Sequence, residues 1–374
     1  MVIKKKNILI VDDSALMRRL ISDIIKSDER LCVADLAMNG LEAFDLVTLN
    51  PRKYDTIILD INMPKMNGIQ FLEQLNKIHL KQKIIIVSTL AKEGAKETIQ
   101  CLELGAFDFV TKPESFIEAR NEIFRQKILE TIAVATNLDI NPTKAPIKKT
   151  DSKQIGFSAA KALQEIVSAK VVRKEHKSVN KGAKKLVALA CSTGGPRALQ
   201  QVIPKLPQNL DAPMLLVQHM PKGFTNSLAQ RLDELSQIKV KEAAQGDIIE
   251  KGTVYIAPGG NQMRLVRKGG KYQIALSEEP PRNGLRPCAD IMYESLVNTD
   301  FDDITCVVLT GMGGDGTLGI KQLNEKRNIY VIAQNEATST VYGMPKVVAE
   351  AGLVDQVEPL EDVAAAITKN VGVQ

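Results

Sequence analysis

Short apolar runs alternate with amphipathic stretches along the first 125 residues of the chain. The runs have the length and β-branched content of strands: NILIV, CVADLA, TIILD, KIIIVS and FDFVT. The stretches between them carry apolar residues at helical spacing, and a last helix is expected from about Glu114. Five such strand-helix units predict an α/β domain with a parallel sheet covered by helices on both faces.

The same alternation resumes near residue 184. Apolar runs predict further strands at KLVALAC, PMLLVQ, TVYIAP, QIALSE, ITCVVLT and IYVIAQ. The stretch from TVYIAP to QIALSE predicts an inserted hairpin. We expect a second α/β domain with a doubly wound, mostly parallel sheet. The predicted domains are therefore 5–125 and 184–370, and 126–183 holds the end of a helix and a Lys-rich linker with a short helix near Ala159–Val171.

The net charge of +5 is concentrated in one segment. Residues 144–185 hold eleven Lys and one Arg against three acidic residues, so the rest of the chain is mildly acidic. This distribution argues against a nucleic-acid-reading domain, and we expect no nucleic-acid partner. No apolar run approaches the roughly 20 residues that span a bilayer, and no signal-peptide pattern opens the chain. We expect a cytoplasmic protein that is not an integral membrane protein, with its five cysteines reduced.

Polar residues follow the strands predicted in the first domain. Ligands gather at the carboxyl ends of parallel strands, and the sequence places these residues there: Asp12, Asp13, Asp60, Ser88 and Lys112. Clustered carboxylates repel one another unless a hard cation such as Mg²⁺ neutralises them, and Mg²⁺ leaves positions for a phosphate. Asp60 is then a carboxylate nucleophile toward phosphate. A helix cap explains a single aspartate such as Asp13, but not all five positions together.

The motifs VDDS, LDINMPKMNG, VST and TKP resemble a response-regulator receiver domain, a flavodoxin-like (βα)5 fold, over residues 5–125. The resemblance implies that Asp60 accepts a phosphoryl group from a histidine kinase. It also implies that Ser88 and Phe109 rearrange on phosphorylation and that Lys112 contacts the phosphate. The magnesium ligands that it implies are Asp12, Asp13, Asp60 and the backbone carbonyl of Asn62.

Three polar residues end strands of the second domain. Ser192 follows KLVALAC, His219 follows PMLLVQ, and Asp315 lies in GMGGDG after ITCVVLT. Nucleophilic acyl transfer needs a hydroxyl, a base that takes its proton, and a carboxylate that orients the base. His219 is the one histidine of the three in the chain that falls in this domain. Taken one at a time, these residues also have ordinary explanations. Ser192 fits a helix N-cap or a phosphate-binding turn, His219 fits a structural histidine, and GMGGDG fits a glycine turn.

The motifs STGG, QHMPKGFTNSLAQRL, VYIAPGG, LTGMGGDG and NEATSTVYGMPK together resemble the catalytic domain of chemotaxis protein-glutamate methylesterases over residues 184–370. The resemblance implies hydrolysis of glutamyl methyl esters on methyl-accepting chemotaxis receptors, with release of methanol and often with glutamine deamidation. It implies a chemotaxis histidine kinase as phosphodonor and a role in sensory adaptation.

In this resemblance the catalytic triad falls on Ser192, His219 and Asp315. Thr193 and Met312 lie where hydrogen-bonding and oxyanion-hole roles are expected. LRPCAD stands where HRPSVD is usual, so the residues that depart from the pattern beside the substrate groove are Leu285 and Cys288.

We therefore expect a phosphorylation-activated esterase that needs Mg²⁺ in the receiver domain and no cofactor for ester hydrolysis. The residues alone leave two alternatives open. One is a receiver fused to an enzyme that binds a nucleotide or sugar phosphate through STGG and GMGGDG. The other is a receiver fused to a non-enzymatic domain that docks a partner.

Overall fold

The structure, a computed structural model, describes residues 4–113, 122–138 and 182–374. The chain divides into two compact units, the first formed by residues up to about 140 and the second by most of the residues after it. Three predictions lie outside the described residues: the start of a helix near Glu114, the Lys-rich linker and its short helix at 159–171.

A five-stranded parallel sheet with the order β2-β1-β3-β4-β5 forms the first unit. Its strands are β1 (Lys6–Val11), β2 (Leu31–Ala37), β3 (Thr56–Asp60), β4 (Ile84–Ser88) and β5 (Asp108–Thr111). All five predicted strands are confirmed. The order of the strands reverses at β1, because β2 lies on one side of it and β3 on the other. Open α/β sheets bind ligands outside the carboxyl ends of the strands at such a reversal.

Five helices of the described residues belong to this sheet: α1 (Ala15–Lys26), α2 (Gly40–Leu49), α3 (Gly68–Lys77), α4 (Lys92–Glu103) and α5 (Glu122–Thr136). The α5 side chains Phe124, Ile128 and Ile132 are buried in one cluster with Ile8 and Ile58 of the sheet. Because these side chains complete the core, the first unit continues past residue 125, where the sequence placed its end.

The second unit contains the strands β6 (Lys185–Cys191), β7 (Met214–Gln218), β8 (Lys239–Glu242), β9 (Thr253–Ile256), β10 (Gln262–Lys268), β11 (Lys271–Ser277), β12 (Asp303–Val308), β13 (Ile329–Gln334) and β14 (Gln356–Glu358). Seven of them form one parallel sheet with the order β14-β13-β12-β6-β7-β9-β8. The order reverses at β6, between β7 and β12. The expected doubly wound sheet is confirmed.

The inserted hairpin is shorter than predicted. It consists of β10 and β11, which pair antiparallel in a sheet of their own. The run TVYIAP does not open the hairpin, so that prediction is wrong: its strand β9 lies inside the main sheet between β7 and β8. All four β9 residues are buried, as expected for a strand covered on both faces.

The helices of the second unit are α6 (Gly195–Val202), α7 (Phe224–Leu235), α8 (Ala289–Ser295), α9 (Thr317–Lys326), α10 (Met344–Glu350) and α11 (Leu360–Val371). Tyr293 of α8 is fully buried in the core, and its hydroxyl donates to the carbonyl oxygens of Ala188 and Val307. Helix α8 is thereby fixed over β6 and β12, the two strands at the reversal. Within the described ranges, no helix has both the length and the apolar character needed to cross a membrane.

Candidate functional site

The receiver edge brings two buried carboxylates and one ammonium group together. Asp12 follows β1, Asp60 ends β3 and Lys112 follows β5. The Lys112 Nζ lies 2.7 Å from Asp60 Oδ2 and 2.9 Å from Asp12 Oδ2. Burial raises the pKa of Asp60 to about 6, with Lys112 opposing the shift and Asp12 adding to it. Burial also acts to lower the pKa of Lys112, but the two carboxylates outweigh it and leave that pKa raised.

The carboxylates at this edge fit a hard divalent cation. One oxygen from each of Asp12, Asp13 and Asp60 lies within 4.8 Å of the others, and carboxylate oxygens are the ligands that Mg²⁺ prefers. Asp13 is exposed. The cap of α1 is Ser14, whose side chain accepts from the Met17 N–H. Capping therefore does not account for Asp13.

The backbone packs closely around Asp60, the predicted phosphoryl acceptor. A Cβ on Gly68 would lie 2.5 Å from the Asp60 carbonyl oxygen, so α3 can begin this close to β3 only with glycine there. The Asn62 side chain donates through Nδ2 to Glu97 Oε2 at 3.2 Å.

The predicted switch residues lie on the neighbouring strands. Ser88 ends β4, is 3% exposed, and donates through Oγ to the Gly94 carbonyl oxygen at 3.2 Å. Phe109 lies in β5 opposite Ile86 of β4. The Lys112 N–H donates to the Ser88 carbonyl oxygen at 2.6 Å, so the serine and the lysine are tied through the main chain.

At the edge of the second sheet, the ends of β6 and β7 place Ser192 and His219 side by side. Cys191 and Gln218, the last residues of these strands, are opposite each other in the parallel register. The His219 N–H donates to the Cys191 carbonyl oxygen at 3.2 Å, and the Ser192 N–H donates to the Thr310 carbonyl oxygen at 3.0 Å. The candidate nucleophile and base thus follow adjacent strands at the reversal of strand order.

His219 and Asp315 are in direct contact. The His219 Nε2 lies 2.7 Å from Asp315 Oδ2, and both side chains are nearly buried. Burial acts to raise the pKa of Asp315, but the hydrogen bonds from His219 and from the Ala289 N–H outweigh it and lower that pKa to about 2. Asp315 is therefore ionised, and it selects the imidazole tautomer with the proton on Nε2.

Helix ends fix the Asp315 carboxylate. Its oxygens accept from the Ala289 N–H at 2.6 Å, the Asp290 N–H at 3.1 Å and the Gly316 N–H at 3.0 Å. The Cys288 thiol donates to Oδ1 at 3.1 Å. Backbone N–H groups at a helix start favour a carboxylate, so Asp315 is held at the start of α8.

A second buried carboxylate, Asp290, completes this arrangement. Asp290 is 2% exposed, and its Oδ1 accepts from the Gly319 N–H of α9 at 2.7 Å. Helices α8 and α9 thus exchange caps, since Asp315 precedes α9 and binds the start of α8. Burial and the neighbouring Asp315 raise the pKa of Asp290 to about 7. Asp290 was not predicted from the sequence, although it lies two residues after the unusual LRPC segment.

Ser192 is not a helix cap. Helix α6 is preceded by Gly194 at φ 77°, without a side-chain cap. The Ser192 hydroxyl makes no hydrogen bond with any residue in the described ranges, so the structure joins His219 to Asp315 but does not join Ser192 Oγ to His219. A Cβ on Gly311 would lie 2.8 Å from the Ser192 Cβ, so the first position of GMGGDG has room only for glycine.

The predicted supporting residues adjoin the serine. Thr310 Oγ1 donates to the Thr193 carbonyl oxygen at 2.9 Å and so ties the STGG turn to the end of β12. Met312 follows Gly311, and its N–H donates to no acceptor among residues 182–374. Of the residues that depart from the resemblance, Cys288 touches Asp315, whereas the Leu285 carbonyl oxygen accepts from Gln262 Nε2 at 2.9 Å.

The acidic edge of one α/β sheet is the arrangement expected of a response-regulator receiver domain. The other sheet places Ser192 near the joined pair of His219 and Asp315, as expected of a hydrolase domain. The family model described as CheB methylesterase matches residues 187–367, and the one described as response regulator receiver domain matches residues 8–124. The chain belongs to the CheB methylesterase family, with a receiver domain ahead of the methylesterase domain.

Two curated relatives carry the name protein-glutamate methylesterase/protein-glutamine glutaminase. The one from Geobacillus kaustophilus is 40% identical and covers 99% of both chains. The one from Bacillus subtilis is 40% identical over 97% of this chain and 98% of its own. The crystal structure of the Thermotoga maritima CheB methylesterase catalytic domain is 41% identical, covers 50% of this chain and 97% of its own, and has a TM-score of 0.48. The second domain belongs to the methylesterase family. This excludes the two alternatives that the residues left open, a nucleotide- or sugar-phosphate-binding enzyme and a non-enzymatic docking domain.

Proposed function

We propose that this chain hydrolyses glutamyl methyl esters on methyl-accepting chemotaxis receptors, releasing methanol, and that phosphorylation of Asp60 activates it. The 2.7 Å contact between His219 Nε2 and Asp315, beside Ser192 at the reversal of the sheet, carries the proposal. The same site deamidates receptor glutamines. The enzyme acts in the cytoplasm with a chemotaxis histidine kinase as phosphodonor. Its removal of receptor methyl groups contributes to sensory adaptation.

The acyl-enzyme forms in one proton-coupled exchange. With its Nε2 proton bonded to Asp315, the imidazole has Nδ1 as its basic nitrogen. His219 Nδ1 takes the Ser192 Oγ proton while Oγ bonds to the ester carbonyl carbon. The carbon–methoxy bond then breaks, and the same proton passes to the leaving oxygen to give methanol. Asp315 stabilises the imidazolium form between the two transfers.

Water completes the cycle by the same route. His219 removes a proton from a water molecule that adds to the acyl carbon, the bond to Ser192 Oγ breaks, and the proton returns to Oγ. The product is an unesterified glutamate side chain on the receptor. With glutamine as substrate the leaving group is ammonia, and the remaining steps are unchanged.

Backbone donors stabilise the oxyanion of each tetrahedral intermediate. The Met312 N–H is uncommitted among the residues of the described second unit and belongs to the turn that contacts Ser192 through Gly311. We assign it to the oxyanion, with Thr193 supporting the turn. A single such donor is typically worth about 10²- to 10³-fold in rate.

At the receiver edge the nucleophile is the Asp60 carboxylate, which bonds to phosphorus as the donor's phosphate bond breaks. Lys112 faces the carboxylate from 2.7 Å and contacts the phosphoryl oxygens, and Ser88 and Phe109 respond to them. The groups that would hold Mg²⁺ are Asp12, Asp13, Asp60 and the backbone carbonyl of Asn62. Bound Mg²⁺ would offset the negative charge of the carboxylates and the phosphate.

Methanol release tests the substrate and the nucleophile together. Receptor-containing membranes carrying radiolabelled methyl esters are incubated with the wild-type protein or with Ser192→Ala, and volatile label is counted. We expect release with the wild type and none above background with the variant. Release by the folded Ser192→Ala protein at the wild-type rate would refute the mechanism, and no release by a wild-type protein that is phosphorylated would refute the substrate.

A further inference from the structure

The last residue of β7, Gln218, places an uncharged amide inside the site without belonging to the triad. It is 2% exposed. A buried amide is costly unless its donors and acceptor are paired. Its hydrogen bonds therefore show what the amide is there to hold.

The amide of Gln218 joins the main chains of the nucleophile and the base. Its Nε2 donates to the Ser192 carbonyl oxygen at 3.0 Å and to the His219 carbonyl oxygen at 3.2 Å. Its Oε1 accepts from the Cys191 thiol at 3.0 Å. One side chain thus bonds to Ser192, to the residue before it, and to His219.

The bond to Ser192 also fixes the direction of the next peptide. The Ser192 carbonyl oxygen accepts from the Gly195 N–H at 2.7 Å as well as from Gln218, so both of its lone pairs are used. A peptide group is planar and trans, so its N–H points opposite to its C=O. Holding this carbonyl therefore also holds the orientation of the Thr193 N–H.

The turn is built around this amide. A Cβ on Gly195 would lie 1.9 Å from Gln218 Oε1, which is far inside van der Waals contact. Gly195 does not have the positive φ of Gly194, so conformation alone does not demand glycine. The second glycine of STGG is required by the space that the Gln218 amide occupies.

We propose that Gln218 is a positioning residue that sets the spacing of Ser192 and His219 and the orientation of the Ser192–Thr193 peptide, without touching substrate. The inference rests on the proposed Ser192 mechanism. A misplacement of about 1 Å between reacting groups costs up to about 10²-fold in rate. Loss of the amide should thus lower kcat and leave KM within about twofold.

The test uses the full-length protein and two unlike substitutions. Gln218→Met keeps the side-chain length and removes all three hydrogen bonds. Gly195→Ala keeps every donor and acceptor but displaces the amide. Lys185→Met is the matched control: it removes buried hydrogen bonds to Asp211 and to the Val371 carbonyl oxygen at the opposite end of β6.

Each protein is assayed for methanol release from methyl-labelled receptors and for its rate of covalent labelling by a fluorophosphonate, a reagent for activated serines that needs no receptor. We expect both Gln218→Met and Gly195→Ala to lower kcat and the labelling rate in parallel, by about 10- to 100-fold. Lys185→Met should lower the melting temperature and leave both rates near wild type.

Two results separate the possible failures. If wild type is labelled at Ser192 and both folded variants are labelled at the wild-type rate, the positioning role of Gln218 is wrong and the proposed function is untouched. If wild type is not labelled, or if Ser192→Ala is labelled equally well, the proposed mechanism itself is wrong. If Gln218→Met does not fold, an unchanged labelling rate in Gly195→Ala is sufficient to overturn the proposal.

Discussion

Asp290→Asn should make the stability of the protein less dependent on pH. Asp290 is buried beside the ionised Asp315, with Glu294 also nearby, and its pKa is raised from 3.8 to about 7. A carboxyl whose native pKa exceeds its unfolded pKa stabilises the fold most at low pH, and this contribution is lost as the pH rises through the native value. The free energy of unfolding of the wild type should therefore fall between about pH 4 and pH 7.

The size of this effect follows from the two pKa values. Each pH unit between them is worth about 1.4 kcal/mol, so the interval from 3.8 to about 7 sets an upper limit of about 4 kcal/mol. Asparagine has nearly the same shape and keeps an oxygen to accept from the Gly319 N–H, which Asp290 Oδ1 now does at 2.7 Å. The variant therefore removes the ionisation and preserves the cap of α9.

The assay is urea unfolding of wild type and Asp290→Asn at pH 5 and pH 8. It is followed by far-ultraviolet circular dichroism, because the chain has no Trp for fluorescence. We expect the variant to gain stability relative to wild type by about 2 to 3 kcal/mol between the two pH values, because only the interval from pH 5 to about 7 contributes. A difference that is the same at both pH values, or that shrinks toward pH 8, would show that Asp290 is ionised in the native site at low pH and would refute the reasoning.

Three further results are expected. Ser192→Ala and His219→Ala should each abolish nearly all methanol release, and the double variant should lose little more, because triad members act as a unit; additive losses would contradict this. Asp315→Asn should keep the fold but favour the wrong imidazole tautomer, with a fall in kcat of roughly 10³-fold or more; a folded variant within tenfold of wild type would argue against the His219 contact. Gly68→Ala should lower the stability of the receiver by about 1 to 3 kcal/mol, measured by urea unfolding, because its Cβ would meet the Asp60 carbonyl oxygen at 2.5 Å; unchanged stability would show that α3 can move.

Most of the architecture is readable from the sequence, because buried parallel strands leave long apolar runs. TIILD and KLVALAC are buried at every position, and both were predicted. The strands β8 and β14 were missed because they are short and partly exposed, with the sequences KVKE and QVE. TVYIAP was placed in the hairpin because an apolar run does not show which sheet it joins.

The contact between His219 and Asp315 could be expected from the sequence because both residues follow strands, and parallel strands bring their carboxyl ends to one edge. Asp290 and Gln218 could not be expected in this way, because their roles depend on contacts between distant parts of the chain. Asp290 accepts from Gly319, and Gln218 donates to Ser192. No local pattern shows that a glutamine ending a strand will have its amide beneath a neighbouring turn.

The dependence of methanol release on phosphorylation tests the central claim most directly. Methyl-labelled receptor membranes are incubated with wild type or Asp60→Asn, with and without acetyl phosphate and Mg²⁺. We predict that acetyl phosphate with Mg²⁺ raises the wild-type rate of methanol release, and that Asp60→Asn keeps a basal rate that does not respond. An equal increase in Asp60→Asn, or a phosphorylated wild type no faster than the unphosphorylated protein, would contradict it.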